Sequence, residues 1–88
     1  SISNNCIINY GVTVGHDVKI GECSSLNPGV VIGGNSIIGK NVLIGANSVI
    51  KQGLEISENS KIDAMTYLYV NLKTPSACTS RNTKIRKI

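Results

Sequence analysis

The single histidine is the residue best suited to acid–base chemistry. His16 stands in the segment Val14-Gly15-His16-Asp17-Val18. An imidazole can accept a proton near neutral pH, which is what a general base must do. Because the aliphatic residues on either side are expected to point inward, the ring of His16 should project outward. An idle surface histidine and an Asp17 that is simply a corner residue remain open alternatives.

Other residue types exclude several chemistries. A zinc site built from three histidines cannot come from one histidine per chain. The cysteines show no CxxC spacing, so metal or redox chemistry is not expected, and their odd number without pairing favours a reducing compartment. The aromatic residues are too few to provide stacking platforms for nucleic acid. The cysteines are Cys6, Cys23 and Cys78, and the aromatic residues are Tyr10, Tyr67 and Tyr69.

An aliphatic residue recurs at every sixth position along most of the chain. We number each hexad from this residue, which is position one: Ile2, Ile8, Val14, Ile20, Leu26, Ile32, Ile38, Ile44, Ile50, Ile56, Ile62 and Leu68. No ordinary helix or sheet imposes a period of six, whereas hexapeptide repeats are a signature of the parallel β-helix. The sequence therefore predicts an all-β solenoid.

The other hexad positions agree with this prediction. Position two is often Gly or Asn, types that tolerate the backbone angles of corners: Asn9, Gly15, Gly21, Asn27, Gly33, Gly39 and Gly45. Position five holds mostly small or β-branched residues, which suit an inward-facing, tightly stacked strand: Cys6, Val12, Val18, Ser24, Val30, Ser36, Val42, Ser48, Leu54, Ser60, Thr66 and Leu72.

Twelve hexads set the size of the solenoid. With three hexads in each triangular coil, residues eighteen apart stack on one another and about four coils result. Strands stacked at roughly 4.8 Å make a prism only about 19 Å tall. Because repeat proteins need several stacked repeats and capped ends, we expect a homo-oligomer. The repeat starts at residue 2 with no polar cap before it, which favours a piece of a larger protein.

The positive charge is confined to one end of the chain. Four lysines face five acidic residues in 1–72, giving a net charge of −1, whereas 73–88 carry a net charge of +5. We therefore expect a β-helix domain over 1–73 and a basic C-terminal tail over 74–88. The tail is either solvated or close to a phosphate-bearing ligand. No apolar stretch approaches the roughly 20 residues of a membrane span, and no leader pattern is visible at the start.

Three segments resemble the bacterial sugar acyltransferases of the left-handed β-helix superfamily. They are 8–22, which contains the His-Asp pair seven residues after an Asn, Asn27-Pro28-Gly29, and 44–50. The sialic acid O-acetyltransferases and the UDP-amino-sugar N-acetyltransferases are the most similar groups, and the resemblance covers about residues 2–65. It implies a left-handed coil, acetyl-CoA as donor, a sugar or nucleotide-sugar acceptor, and a homotrimer with active sites between neighbouring β-helices. Together with the histidine and cysteine content, it leads us to expect a cytoplasmic enzyme that uses no metal.

The resemblance also implies roles for individual residues. His16 matches the catalytic base, Asp17 matches the acidic residue that orients it, and Asn9 matches a polar residue near that base that would bind the substrate. Asn9, like Asp17, could instead be a plain corner residue. Ala46 and Ala64 match positions that line the donor cleft, although they could equally be small corner residues.

Gly34 is a candidate from the spacing itself. It lies eighteen residues after His16, so it should present a bare backbone N–H on the same face one coil on. The resemblance places the thioester carbonyl there, while a glycine at a corner is also ordinary turn chemistry.

The chain departs from these families at two points. Ser25 replaces a second histidine that many relatives carry nine residues after the base, and 72–78 lack the usual Gly-x-Pro-Ala-Lys ending. The alternative function is therefore a non-catalytic or truncated β-helix that serves as a scaffold or assembly domain.

Overall fold

The computed structural model describes residues 1–79 and 85–87, which contain thirteen short strands and no helix. The strands are β1 Ile7–Ile8, β2 Thr13–Val14, β3 Lys19–Ile20, β4 Ser25–Leu26, β5 Val31–Ile32, β6 Ile37–Ile38, β7 Leu43–Ile44, β8 Val49–Ile50, β9 Glu55–Ile56, β10 Lys61–Ile62, β11 Tyr67–Leu68, β12 Ser76–Cys78 and β13 Ile85–Lys87. They form three sheets. Sheet one has the order β1-β4-β7-β10-β12-β13, sheet two β2-β5-β8-β11 and sheet three β3-β6-β9.

The sheets are the three walls of a triangular prism. Strands pair in parallel with residues eighteen apart in register, as in Ile8 with Leu26 and Leu26 with Ile44. Coils one to four comprise 1–18, 19–36, 37–54 and 55–72. Coils two to four each contribute one strand to each wall, whereas coil one contributes β1, β2 and, on the third wall, only the isolated bridge of Ile2 with Ile20. The prediction of an all-β, left-handed parallel β-helix of about four coils is confirmed.

The aliphatic residues at position one form the core. Ile20, Leu26 and Ile32 are 0 to 1% exposed, whereas Ile8 and Val14 on coil one are 39% and 36% exposed because a single neighbouring coil covers them. Core packing is therefore complete from coil two onwards.

Buried serines at position five join coil two to coil three and coil three to coil four. The Ser24 hydroxyl donates to the carbonyl of Gly39 at 2.8 Å and accepts from the N–H of Val42 at 3.0 Å. Ser48 repeats this arrangement with the carbonyl of Asp63 and the N–H of Thr66. Because each hydroxyl both donates and accepts, its burial leaves no unpaired polar group in the core.

Three corners join the walls, and each spans positions two to five. The first corner lies between sheets one and two, the second between sheets two and three, and the third between sheets three and one. The first comprises 9–12, 27–30, 45–48 and 63–66, the second 15–18, 33–36 and 51–54, and the third 3–6, 21–24, 39–42 and 57–60.

The left-handed backbone of the corners lies at position four, so the role predicted for position two was wrong. The residues with positive φ are Asn5, Gly11, Asp17, Cys23, Gly29, Asn35, Asn41, Asn47, Gly53, Asn59 and Met65. Asn and Gly predominate because they adopt this conformation at the least cost.

Glycine at position two has a different purpose, which is close stacking. A Cβ on Gly45 would lie 2.3 Å from the backbone N of Ala64, and one on Gly33 would lie 2.4 Å from the N of Gln52. No real side chain approaches backbone this closely. Glycine at position two therefore allows the backbones of successive coils to pack closely against each other.

The hexad register slips after coil four. Leu72, which the pattern placed at position five, pairs instead with Ile56 sixteen residues earlier and occupies position one. The chain between Leu68 and Leu72 is thus two residues shorter than a full hexad. The slip continues into β12, where Cys78 pairs with Ile62, again sixteen residues apart.

Part of the segment predicted to be a basic C-terminal tail, either solvated or close to a phosphate-bearing ligand, belongs to sheet one. β12 pairs in parallel with β10, and Ser76 and Cys78 are buried. β13 then pairs antiparallel with β12. A domain boundary at residue 73 stays a prediction, and Arg81 and Lys84 of the basic segment lie outside the described residues. Within the described part of the chain, no helix could cross a bilayer.

Candidate functional site

His16 projects from the second corner, between β2 and β3. Its side chain is 75% exposed, and its Nδ1 lies 3.2 Å from Oδ2 of Asp17. A carboxylate can only accept, so the hydrogen of this contact belongs to Nδ1, and in the neutral imidazole Nε2 is then the nitrogen that carries the lone pair. Asp17 is at position four with φ 57°, so it is a corner residue that also holds the imidazole.

The ring of His16 rests against Gly34 on coil two. A Cβ on Gly34 would lie 2.9 Å from Nε2 and 3.1 Å from Cδ2 of the imidazole. Gly34 is not among the residues with positive φ, so its backbone does not require glycine. The missing side chain matters because it leaves the space that the ring occupies.

Gly34 also provides a free backbone donor. In this corner, the position-four N–H groups pair with position-three carbonyls of the preceding coil, as in Asn35 to His16 at 2.8 Å and Gly53 to Gly34 at 2.9 Å. The N–H of Gly34 has no acceptor within the described residues. At the first corner, position three of one hexad is Pro28, which has no N–H. The coil therefore does not need a hydrogen-bond donor at position three. A proton acceptor and a free donor therefore lie side by side.

The other predicted site residues lie at the first corner, on the opposite edge of sheet two. The Nδ2 of Asn9 donates to the carbonyl of Leu26 at 3.1 Å, and Ala46 and Ala64 stack at position three. A separation of eighteen places two residues in one column, but Ala46 follows Gly34 by only twelve. A single chain therefore brings together His16, Asp17 and Gly34, and separately Asn9, Ala46 and Ala64.

Sheet two, which connects these corners, has an uncharged outer surface that sequence reasoning missed. The outward side chains of its strands are Thr13, Val31, Val49 and Tyr67, and Tyr67 stacks on Tyr69 with ring centroids 5.9 Å apart. Sheet one carries Lys61 on its outer face, and sheet three carries Lys19 and Glu55. The sequence contains this feature, because the position-six residues that lie eighteen apart on this wall are all uncharged.

The cysteines lie away from the His16 corner. Cys78 is buried in sheet one, and desolvation, with a smaller contribution from Asp63, raises the pKa of its thiol. A raised pKa keeps the thiol protonated and unreactive. In residues 1–79 and 85–87, no cluster of three or more metal-ligating side chains occurs.

Comparison with known proteins identifies the repeats. Residues 17–52 match the family described as bacterial transferase hexapeptide (six repeats), and 36–69 match the hexapeptide repeat of succinyl-transferase. No curated protein matches the chain.

Among solved structures, the acetyltransferase domain of PglB from Neisseria gonorrhoeae FA1090 in complex with acetyl coenzyme A is 17% identical, with a TM-score of 0.55 over 94% of this chain and 52% of that one. PerB from Caulobacter crescentus in complex with CoA and GDP-perosamine is 16% identical, with a TM-score of 0.46 over 97% of this chain and 56% of that one. The chain thus spans about half the length of these structures. The resemblance found in the sequence is confirmed: 17–52 match a bacterial transferase hexapeptide model and 36–69 match the hexapeptide repeat of succinyl-transferase.

Proposed function

We propose that this chain is the β-helix of an acetyl-CoA-dependent acetyltransferase that modifies an amino or hydroxyl group of a sugar or nucleotide sugar. The observation that carries the proposal is the imidazole of His16, held by Asp17 and resting against Gly34. The match of 17–69 to transferase repeats supports it, as does a fold shared with a domain solved with acetyl coenzyme A.

In this proposal His16 acts as the general base. Its Nε2 takes the proton of the acceptor as the acceptor's nitrogen or oxygen bonds to the acetyl carbon, and Asp17 stabilises the resulting imidazolium through Nδ1–H. Acetyl-CoA supplies the activated acyl group, and the proton passes from His16 to the departing thiolate as the carbon–sulfur bond breaks.

Gly34 has the complementary role of stabilising negative charge. Its free N–H can donate to the carbonyl oxygen of the acetyl group as that oxygen becomes an oxyanion. A fixed donor of this kind lowers the activation barrier by about 3 kcal/mol. Because the N–H has no other acceptor within the described residues, it needs no rearrangement before the reaction.

We further propose a homotrimer in which sheet two faces the threefold axis. Its uncharged outer row can be buried without leaving an unpaired charge. This arrangement sets the second corner of one copy beside the first corner of the next. Asn9, Ala46 and Ala64 of a neighbouring copy then complete the site of His16, with Asn9 near the substrate and the alanines along the donor. The separation of the two residue groups within one chain supports a site shared between copies.

The remaining expectations belong to the same proposal. Residues 1–73 form the catalytic β-helix and 74–88 the basic C-terminal segment. No metal takes part, and the enzyme acts in the cytoplasm.

Thermal unfolding with and without millimolar acetyl-CoA tests the proposal. A ligand that binds only the folded state raises the unfolding midpoint in a concentration-dependent way. We expect such a rise for the wild type and for His16→Ala, with acetyl transfer to amino or hydroxy sugars in the wild type and a strongly reduced rate in the variant. A folded protein whose midpoint does not respond to acetyl-CoA contradicts the proposal and favours the scaffold alternative.

A further inference from the structure

A groove runs along the outer face of sheet one, away from His16. Its volume is about 490 Å³, and its lining includes Ser25, Asn41, Leu43, Asn59 and Lys61. These residues come from three successive coils, so the groove extends for about 10 Å along the prism. Small-molecule sites have volumes of about 300 to 1,000 Å³. The proposed acyl transfer gives this groove no role.

Two asparagine side chains are fixed along one wall of the groove. Asn41 and Asn59 both have positive φ, 55° and 61°, and Nδ2 of Asn41 donates to Oδ1 of Asn59 at 2.8 Å. This bond leaves Oδ1 of Asn41 as an acceptor and the Nδ2 hydrogens of Asn59 as donors, with no partner in residues 1–79. Amides held in place by one another lose little conformational freedom when a ligand binds.

The other wall supplies an apolar surface and one positive charge. Leu43 is 41% exposed, and Lys61 makes no ion pair within the described residues. No carboxylate lines the groove, and Glu58 at the adjoining corner is engaged by Lys40 at 3.7 Å. The ammonium of Lys61 is therefore available to an anionic ligand as a point charge.

We propose that this groove binds an acidic sugar. The C–H face of the ring packs on Leu43, its hydroxyl groups pair with the free amide atoms of Asn41 and Asn59, and its carboxylate pairs with Lys61. A nucleotide suits the groove less well, because no aromatic ring lines it and one lysine cannot match a pyrophosphate. Binding here requires neither acetyl-CoA nor His16, so it stands apart from the proposed transfer reaction.

Nuclear magnetic resonance titration of the full chain with D-glucuronate and with D-glucose tests this site. We expect saturable shifts of the side-chain amides of Asn41 and Asn59 and of the Leu43 methyls, with glucuronate about tenfold tighter than glucose. Lys61→Gln should reduce the affinity for glucuronate to that for glucose. Equal shifts with inorganic phosphate overturn the proposal, because they reduce the groove to a simple anion patch.

Glycine variants remove the side-chain amides while keeping the left-handed backbone at these positions. Asn41→Gly and Asn59→Gly keep the left-handed backbone, which glycine adopts freely, and should weaken both sugars by about fivefold or more. Asn5→Gly is the matched control, since Asn5 has φ 60° in the same column but does not line the groove. Unchanged affinity in the two variants, or shifts confined to the second corner, contradict the assignment. Because acetyl-CoA is absent, the outcome is independent of whether transfer occurs.

Discussion

The second and third corners have the same backbone and very different side chains. At the second corner the N–H of Asn35 donates to the carbonyl of His16 at 2.8 Å, and at the third the N–H of Asn41 donates to that of Glu22 at 2.9 Å. Position three of the second corner carries His16 and then a glycine. At the third corner, position three of coils two, three and four carries Glu22, Lys40 and Glu58.

In this solenoid, the side chains that stack on one another eighteen residues apart decide what a corner can do. At the third corner each side chain lies over another of opposite charge, and Lys40 and Glu58 approach within 3.7 Å. At the second corner the residue above His16 has no side chain, so the ring has both space and an unshielded backbone donor. A histidine alone would be unremarkable; a histidine with a glycine eighteen residues later is a candidate site.

Removing the imidazole should have the largest effect and should sharpen the contrast between the corners. We expect His16→Ala to lower acetyl transfer by about 100-fold or more, because the general base is lost. The unfolding midpoint should hardly change, since the side chain is 75% exposed. Glu22→Ala at the equivalent place of the third corner is the control and should keep full turnover. A wild-type rate in His16→Ala would falsify the assignment.

Adding a side chain above the imidazole should break the contrast. Gly34→Val places a Cβ within 2.9 Å of Nε2 and covers the free N–H, so acetyl-CoA binding should be lost while the oligomeric state stays that of the wild type. Lys40→Val makes the matched change at the third corner and should leave binding intact. Calorimetric titration with acetyl-CoA, together with light scattering for the oligomer, measures both effects. Normal binding by Gly34→Val would remove the donor from this position.

A third comparison separates the two kinds of glycine by stability. Gly45→Ala forces a Cβ to 2.3 Å from the N of Ala64 and should destabilise the fold by about 3 kcal/mol. Gly53→Asn introduces a residue that tolerates φ 75°, and no atom lies within 4 Å of the new Cβ. The loss in the free energy of unfolding should therefore be under about 1 kcal/mol. Urea unfolding measures both values. Similar losses in the two variants would contradict the separate roles of positions two and four.

The smallest effect is expected at the ion pair of the third corner. The side chains of Lys40 and Glu58 are 59% and 51% exposed, so solvent screens their attraction. Lys40→Gln should change the free energy of unfolding by no more than about 0.5 kcal/mol, with less effect at high salt. A loss above 1 kcal/mol by urea unfolding, which is the scale of a good buried hydrogen bond, would show that this column is more than a solvated surface.

The sequence predicted the β-helix because one periodic signal, the residue at position one, decides the fold. Ile20 and Leu26 are buried as expected, and the register holds through Leu68. It fails at Leu72, because leucine is equally acceptable at positions five and one, and a two-residue shortening leaves no mark in the composition. The glycines at position two were misread for a related reason, since a glycine looks the same whether it supplies a backbone angle or an absence of volume.

The site was predicted as a set of residues but not as an arrangement. His16 and Gly34 were paired through their spacing of eighteen, and the structure places them in contact. Ala46 was named on resemblance alone, and its spacing of twelve from Gly34 was enough to put it on another corner. The uncharged row of sheet two, which suggests how the corners meet, involves residues of no chemical interest and drew no attention in the sequence.

The serine hydroxyls that join successive coils have a consequence for how such a chain can change length. Ser24 and Ser48 make the same two bonds to the coil above them, at different corners. A deletion or duplication of eighteen residues would therefore join surfaces that already match. Gaining or losing the segment 37–54 would keep His16 under its glycine while moving the end of the prism by about 4.8 Å. The length of the prism available to a ligand can thus change during evolution by one whole coil at a time, while the His16 corner stays the same.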